Sequence, residues 1–416
     1  MIKKTIHLFF SKVIVAVLNF LLLLYSARLL GAESRGIINL LVVNLSIIVL
    51  FSELFSGPVL VYFSTRINNQ KLKLIAGAWN FVSSCMVVFM LKYFNLGKDE
   101  FYFELLVVSI LYGNLNIYQL IFTGLEKINA LNFVLILNST LQLILFFITT
   151  ALVPKIDVHV YFISWILALG ISNLVALSIS KNEKIDSSEI SYLEFIKDIF
   201  KKSKWIFLAN LLHLLAVRII YFFIESSYGN TTLGIVGTGV SLSESLLLIS
   251  SSISTVLYSR ISNINVIDKP NELLLCNAGF WISFIGWMFL IMVPESFWSL
   301  LIGKDFYGIK MIFVLYGPSV LLMVLSTILS NFYSGNGNYK TPAIGSAFGL
   351  FFATVLSILL IKKYGIIGAM IAAFFSNLFQ LIWLFYYYKK SQTNIKFVQM
   401  LRSIFNPFQL KHLIKV

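Results

Sequence analysis

The sequence predicts an all-α polytopic membrane protein, with twelve transmembrane helices in two pseudo-symmetric six-helix lobes around a central cavity. Three observations carry this. Of 416 residues, 58% are hydrophobic and only 12% charged, and the mean hydropathy is +0.88; a soluble domain cannot hide that much apolar surface. A helix needs about 20 apolar residues to cross the hydrocarbon core, and twelve such runs follow one another: 6–30, 37–64, 72–94, 101–123, 131–153, 158–180, 204–225, 233–257, 275–294, 309–333, 341–362 and 366–388. They do not alternate apolar and polar residues as barrel strands would. Finally, deep charges fall only on spans 1, 2, 7 and 8.

Span 1 opens after Lys3 and Lys4 with no small-residue cleavage site behind it, and reads as an uncleaved helix. It carries Lys12, Asn19 and Ser26 at seven-residue spacing; span 2 carries Asn39, Ser46 and Glu53 in the same way. Positions seven apart share a helix face. A short turn, Gly31 to Gly36, joins the two, and Pro58 after Gly57 is expected to bend span 2. Spans 3 to 6 hold the amides Asn80, Asn114, Asn116, Gln119, Asn138, Gln142 and Asn173, expected to hydrogen-bond between helices. Residues 181–203 contain a capping box, Ser191 to Glu194, before an amphipathic run (Leu193, Ile196, Ile199, Phe200) that reads as a helix on the inner membrane surface.

Span 7 carries Asn210, His213 and Arg218, with Glu225 one heptad further on. Span 8 is rich in glycine and serine, and Gly237, Glu244, Ser251 and Tyr258 form its stripe. Spans 9 to 12 have no deep charge; Gly345 and Gly349 make a close-packing GxxxG pair in span 11. The segment after Lys389 is basic and suits either an anionic lipid surface or a tail without fixed structure. The expected organisation is an N-terminal lobe at 1–180, a connector at 181–203, a C-terminal lobe at 204–388 and a tail at 389–416.

A faint internal repeat supports the halves. Ser11-Lys12 opens span 1 and Ser203-Lys204 opens span 7; Tyr62 to Asn68 closes span 2 much as Tyr258 to Asn263 closes span 8; Leu111-Tyr112-Gly113 recurs as Leu315-Tyr316-Gly317. An even number of spans separates equivalent positions, so the repeats would be parallel.

Net charge is +14. With the N-terminus inside, 22 of the 32 Lys and Arg residues lie on cytoplasmic segments, 9 lie outside and Arg218 lies within the membrane. That bias places both termini in the cytoplasm and accounts for the basicity without nucleic acid. A charge at a helix centre costs ~2.5–3.5 kcal/mol on insertion scales, so four facing lipid would cost roughly 10–14 kcal/mol. They are therefore expected to share a wet cleft. Arg218 either pairs with Glu244 or Glu225 or contacts substrate. Glu53 and Glu244 are coupling or charge-balance candidates, or make interhelical hydrogen bonds; His213 is a proton relay or a packed polar residue. Lys12 lies deep enough to contact substrate and near enough the inner surface to snorkel. Arg66 and Arg260, at cytoplasmic helix ends, are either positive-inside anchors or phosphate contacts at a cavity mouth.

Enzyme signatures are absent. Four His residues show no HExxH, and Gly335 to Lys340 misses the phosphate-loop spacing. Cys85 and Cys276 imply neither a disulfide framework nor a metal site. No catalysis, cofactor or metal is expected.

Two stretches resemble a known family. Arg28 to Gly36, Arg-Leu-Leu-Gly-Ala-Glu-Ser-Arg-Gly, resembles the Arg-x-Leu-Gly-Pro-x-x-(Tyr/Phe)-Gly turn of polysaccharide transporters, with Ala32 for the proline and Arg35 for the aromatic residue. Phe332 to Pro342 and Tyr364 to Ala369 resemble their later helices. The chain is thereby similar to O-antigen flippases of the Wzx type, in the multidrug/oligosaccharidyl-lipid/polysaccharide (MOP) exporter superfamily. The resemblance implies helices 1, 2, 7 and 8 lining a cleft in the inner membrane. It implies a substrate, an oligosaccharide on undecaprenyl pyrophosphate, and a role in lipopolysaccharide biosynthesis. Membrane lipid, a polymerase and a chain-length regulator of the same pathway are the implied partners, with a proton or sodium ion for coupling. Arg28 carries over by motif; Lys12, Arg218, Arg66 and Arg260 join it by position as substrate contacts. A cation-coupled drug exporter of the same superfamily and an O-antigen polymerase or ligase are the alternatives.

Overall fold

The computed structural model describes residues 2–56, 60–61, 64, 69–154, 156–180, 192–248, 250–251, 253–254, 272–391 and 402–406, without the side chains of 2–6, 8–9, 55–56, 192–203, 206 and 391. Among them the chain is helical throughout its apolar runs, with no strand. Arg66, Arg260, the Gly57-Pro58 step and most of the basic tail lie outside the described residues.

The helices are α1 (Ile2–Ser56), α2 (Asn69–Tyr93), α3 (Tyr102–Gly124), α4 (Ile128–Leu152), α5 (Val158–Ser180), α6 (Tyr192–Glu244), α7 (Glu272–Met292), α8 (Glu295–Ile302), α9 (Ile309–Gly335) and α10 (Lys340–Ser391). All but the eight-residue α8 are long and apolar enough to cross a membrane. This is a multi-pass membrane protein.

Three of these helices are folded back on themselves. α1, α6 and α10 each contain one residue outside helical geometry: Gly31 (φ 74°, ψ 176°), Gly229 (φ 77°, ψ 179°) and Gly365 (φ 56°, ψ −132°). A straight helix would separate residues 26 or 27 apart by about 40 Å. Instead Arg218 Nη2 lies 2.6 Å from Glu244 Oε2, Ser376 Oγ lies 2.8 Å from the Gly349 carbonyl, and Val15 and Val42 line one cavity. The fold-backs fall where hydropathy leaves gaps between spans 1 and 2, 7 and 8, and 11 and 12.

Glycine is needed at these turns because positive φ with ψ near 180° is a region L side chains scarcely enter. Gly229 separates strain from crowding, since a Cβ there would meet nothing within 4 Å. Gly229→Ala is expected to cost about 1–3 kcal/mol from backbone strain alone, read as a lowered melting temperature of the purified protein. An unchanged melting temperature would show that the turn tolerates another conformation.

The position expected for the boundary between the connector at 181–203 and span 7 falls inside α6. α6 runs unbroken from Tyr192 to Gly229, and no glycine or proline lies between Tyr192 and Tyr228 to interrupt it. Span 8 behaves the other way. After Glu244 its backbone bonds tighten to Ser245 N–Leu242 O and Leu246 N–Ser243 O, at 3.3 and 3.2 Å, a 3₁₀ step within the span.

The chain divides into two units, Met1–Phe207 and Leu208–Val416. In the first, Ile38, Ile48, Leu105, Phe122, Val134 and Phe146 form the fully buried core of α1, α3 and α4. In the second, Val324, Leu325 and Ile328 of α9 pack with Cys276 of α7 and Leu384 of α10. Phe89, Phe103, Leu174, Phe289 and Phe351 are exposed, as lipid-facing side chains must be.

The repeated Tyr-Gly step has a packing cause. A Cβ on Gly113 would fall 2.1 Å from Asn80 Oδ1, and one on Gly317 1.8 Å from Trp287 Nε1. In each unit the glycine makes room for a polar side chain from a neighbouring helix.

Candidate functional site

The first unit encloses a cavity of about 340 Å³ between α1, α3, α4 and α5. Both arms of α1 contribute: Val15, Asn19, Leu22 and Leu23 from the first, Arg35 and Val42 from the second. Asn19 and Val42 are exposed, so the cavity opens to the surface of the unit. Tyr112, Asn116 and Gln119 come from α3, spaced so that they share a face; Asn138, Ser139 and Gln142 do the same on α4. Tyr161 and Trp165 from α5 supply aromatic faces, 5.9 Å apart between ring centroids.

Arg35 is the one charged residue in this lining. It is 7% exposed, and its Nη1 donates 3.1 Å across the Gly31 turn to Ser26 Oγ. No carboxylate lines the cavity. Glu53 stands behind the wall, where Asn116 Nδ2 donates to its Oε1 at 3.0 Å.

The amides of this unit divide into two sets. Asn80 accepts from Ser52 at 2.8 Å and donates to the Ile110 carbonyl and to Asn114; Asn173 donates to the Leu111 carbonyl. These are the interhelical bonds expected from sequence. Asn19, Gln119, Asn138, Ser139 and Gln142 differ. Their side chains make no protein hydrogen bond among the described residues, although Ser139 and Gln142 are only 5% and 6% exposed. The Asn138 Oδ1 atom is buried and unpartnered. Leaving a buried polar group unserved costs about 1–3 kcal/mol each, so Asn138, Ser139 and Gln142 need whatever fills the cavity. For Gln119, Asn138 and Gln142 the expectation of an interhelical bond is corrected: they face the cavity instead of a neighbouring helix.

The second unit holds a different constellation. Arg218 and Glu244, on opposite arms of α6, form a two-pronged ion pair, with Nη2–Oε2 at 2.6 Å and Nη1–Oε1 at 3.2 Å. The Tyr316 hydroxyl, from α9, donates to Glu244 Oε1 at 3.0 Å. Arg218 also donates to the Tyr221 hydroxyl and stands 5.4 Å from the centre of that ring. His213 is within electrostatic reach of both charges, and its buried Nδ1 has no hydrogen-bond partner among the described residues.

Of the residues singled out from sequence, Arg218, Glu244 and His213 are therefore brought together, and Glu244 is the partner of Arg218, not Glu225. Glu53 is engaged by Asn116. Lys12 and Arg28 are exposed and outside the cavity lining; Arg28 sits three residues before the Gly31 turn, whereas Arg35 follows it on the inward face. Arg35, Tyr221 and Tyr316 were missed as site residues. The Leu-Tyr-Gly repeat was the available signal for Tyr316, and its counterpart Tyr112 lies within electrostatic reach of Glu53. Among the described residues no group of His, Cys, Asp and Glu is placed to hold a metal.

Comparison with known proteins agrees with this architecture. Residues 1–265 match the family described as "Polysaccharide biosynthesis protein". The chain is 25% identical over 400 residues to the capsular polysaccharide biosynthesis protein CapF of Staphylococcus aureus, covering 94% of this chain and all of that one. Among solved structures it is similar to an inward-facing multidrug resistance MATE family transporter of the MOP superfamily, with TM-score 0.68, 15% identity and coverage of 92% of this chain and 96% of that one. It is equally similar to the lipid II flippase MurJ in an inward closed conformation, with TM-score 0.68, 17% identity and coverage of 100% and 92%. The fold is that of the MOP superfamily transporters, and the family match spans well over half of the sequence: the chain belongs to the polysaccharide biosynthesis protein family.

Proposed function

We propose that the chain is a flippase. It turns an oligosaccharide carried on undecaprenyl pyrophosphate, an O-antigen or related polysaccharide repeat unit, from the inner to the outer leaflet of the bacterial inner membrane. It does so by alternating access, with both termini in the cytoplasm. The observation that carries this reading is the polar cavity of the first unit: Asn19, Gln119, Asn138, Ser139, Gln142 and Arg35 line one space among otherwise apolar helices. Polar side chains gathered around one space among apolar helices suit a hydrophilic cargo. The names of CapF and MurJ, capsular polysaccharide biosynthesis and lipid II flippase, point to a lipid-linked glycan. The exposed cations Lys12 and Arg28, with Arg66 and Arg260, attract the pyrophosphate; Glu53, Glu244 and His213 balance charge or couple to a proton or sodium ion.

A cation-coupled drug exporter would favour acidic residues in its cavity, and this one has a cation and none. The test is a strain lacking the gene. Lipid-linked repeat units are expected to accumulate on the cytoplasmic face, inaccessible to periodate oxidation in intact spheroplasts. Oxidation equal to that in the parent strain would end the flippase reading. Intact export with new drug sensitivity would point to the exporter.

A further inference from the structure

We propose that the cavity of the first unit is a subsite for a single uncharged sugar, a pyranose ring with no ionised group. The inference rests on the flippase reading for its cargo, but the site is argued from its own lining. Asn138 Oδ1 is buried and unpartnered. Ser139 and Gln142 are 5% and 6% exposed, and their side chains make no hydrogen bond among the described residues. The same holds for the Tyr161 hydroxyl and the Trp165 indole N–H, on residues 6% and 8% exposed. Two neighbouring helices, α4 and α5, thus bring these groups to one space.

The chemistry of the lining narrows the guest. Amides and hydroxyls donate and accept, whereas an indole N–H only donates. A guest that answers all of them must carry several groups of both kinds, as a ring of hydroxyls does. An apolar guest would leave them unserved. The rings of Tyr161 and Trp165 stand at 69° to each other, 5.9 Å apart between centroids. A pyranose has hydroxyls around its rim and C–H bonds on its faces, so it meets amides and aromatic rings at once. About 340 Å³ lies at the lower end of ligand-pocket volumes, which suits one ring. The cavity opens past Asn19 and Val42, where the rest of a sugar chain has a way out.

Ionised sugars fit less well. No carboxylate lines the cavity to balance the cation of an amino sugar. The guanidinium of Arg35 is already engaged, by Ser26 and by a further contact within the protein. A carboxylated sugar would have to draw it from those partners or be buried without a counter-charge, which is costly. An uncharged ring asks nothing of Arg35. The site would therefore read one neutral sugar of the repeat unit, and the pyrophosphate would be held elsewhere.

The test is saturation-transfer NMR on the full-length protein in detergent. The uncharged probes are D-glucose, D-galactose, D-mannose and N-acetyl-D-glucosamine; the charged probe is D-glucuronate. At least one uncharged sugar is expected to receive saturation at its ring C–H protons, and to bind at least about ten-fold more tightly than glucuronate. Gln142→Leu should weaken that sugar by about ten-fold, the loss of one hydrogen bond. The sugar-free variant should melt no lower than the parent, because an unserved polar group has been removed; a purely structural glutamine would give the opposite pattern, a lower melting temperature with unchanged binding. Asn138→Leu repeats the measurement if the first variant does not fold. Saturation in none of the uncharged sugars, binding of glucuronate as tight or tighter, or undiminished binding in a folded variant would each overturn the subsite. None of these readouts involves transfer between leaflets. Sugar binding with normal leaflet transfer in the deletion strain would remove the flippase reading and keep the site; the reverse pair of results would remove the site and keep the flippase.

Discussion

Glu244→Ala is expected to destabilise the protein by at most about 3–5 kcal/mol, the cost of removing one partner of a fully buried ion pair, since the Arg218 and Glu244 side chains are 24% and 13% exposed. Glu244 receives two N–H donors from Arg218 and the hydroxyl of Tyr316. Without it the guanidinium keeps only the Tyr221 hydroxyl as a hydrogen-bond partner among the described residues. The arms of α6 would also lose the link that ties them together beyond Gly229. That cost is a large part of the 5–15 kcal/mol that typically separates folded from unfolded domains, so yield and melting temperature should fall together. The double replacement Arg218→Met with Glu244→Leu is expected to recover most of the loss, because well-packed apolar residues often substitute for a buried pair at little cost. Transport then separates structure from mechanism. A stable double variant that exports glycan normally assigns the pair to the fold; a stable double variant that exports nothing assigns it to the transport cycle. A melting temperature unchanged by Glu244→Ala would refute the structural role outright.

Gly317→Val is the second large effect. Even the first added carbon would fall 1.8 Å from Trp287 Nε1 and 2.2 Å from Cε2. The indole would have to leave its place and give up its 2.8 Å bond to the Phe313 carbonyl. Overpacking costs about 1–3 kcal/mol, and a buried donor left unmade costs about 1–3 kcal/mol more. A total of roughly 2–6 kcal/mol is expected, read by thermal unfolding in detergent. Gly170→Ala is the control, since a Cβ there meets nothing within 4 Å; in a helix interior it should be neutral or stabilising by up to about 1 kcal/mol. Equal effects at the two positions would mean that glycine content, not the Trp287 contact, sets stability.

Hydropathy alone located the gaps into which the turns at Gly31, Gly229 and Gly365 fall, because chain length per crossing is fixed by bilayer thickness and a gap in apolar character has to fall somewhere. The choice of Glu244 over Glu225 was also within reach: residues seven apart on one helix are about 10 Å apart along the axis, too far for contact, whereas a folded-back arm brings a distant residue alongside. The cavity was not legible. Arg35 sits in a stretch that reads as a surface turn, and only the left-handed step at Gly31 decides that it points inward to Ser26. The amides Asn114 and Asn138 look alike in sequence; which one finds a partner depends on what stands opposite, and that is set by helix packing.

The position of Arg218 on the first arm of α6 bears on how the chain is made. Translation produces this arginine 26 residues before Glu244, so the arm emerges from the ribosome with its cation unmatched. Released alone into lipid it would carry the ~2.5–3.5 kcal/mol insertion cost of a central arginine. Biogenesis of this hairpin therefore favours delivery of both arms together, with the nascent segment retained at the insertion machinery until its carboxylate has been synthesised.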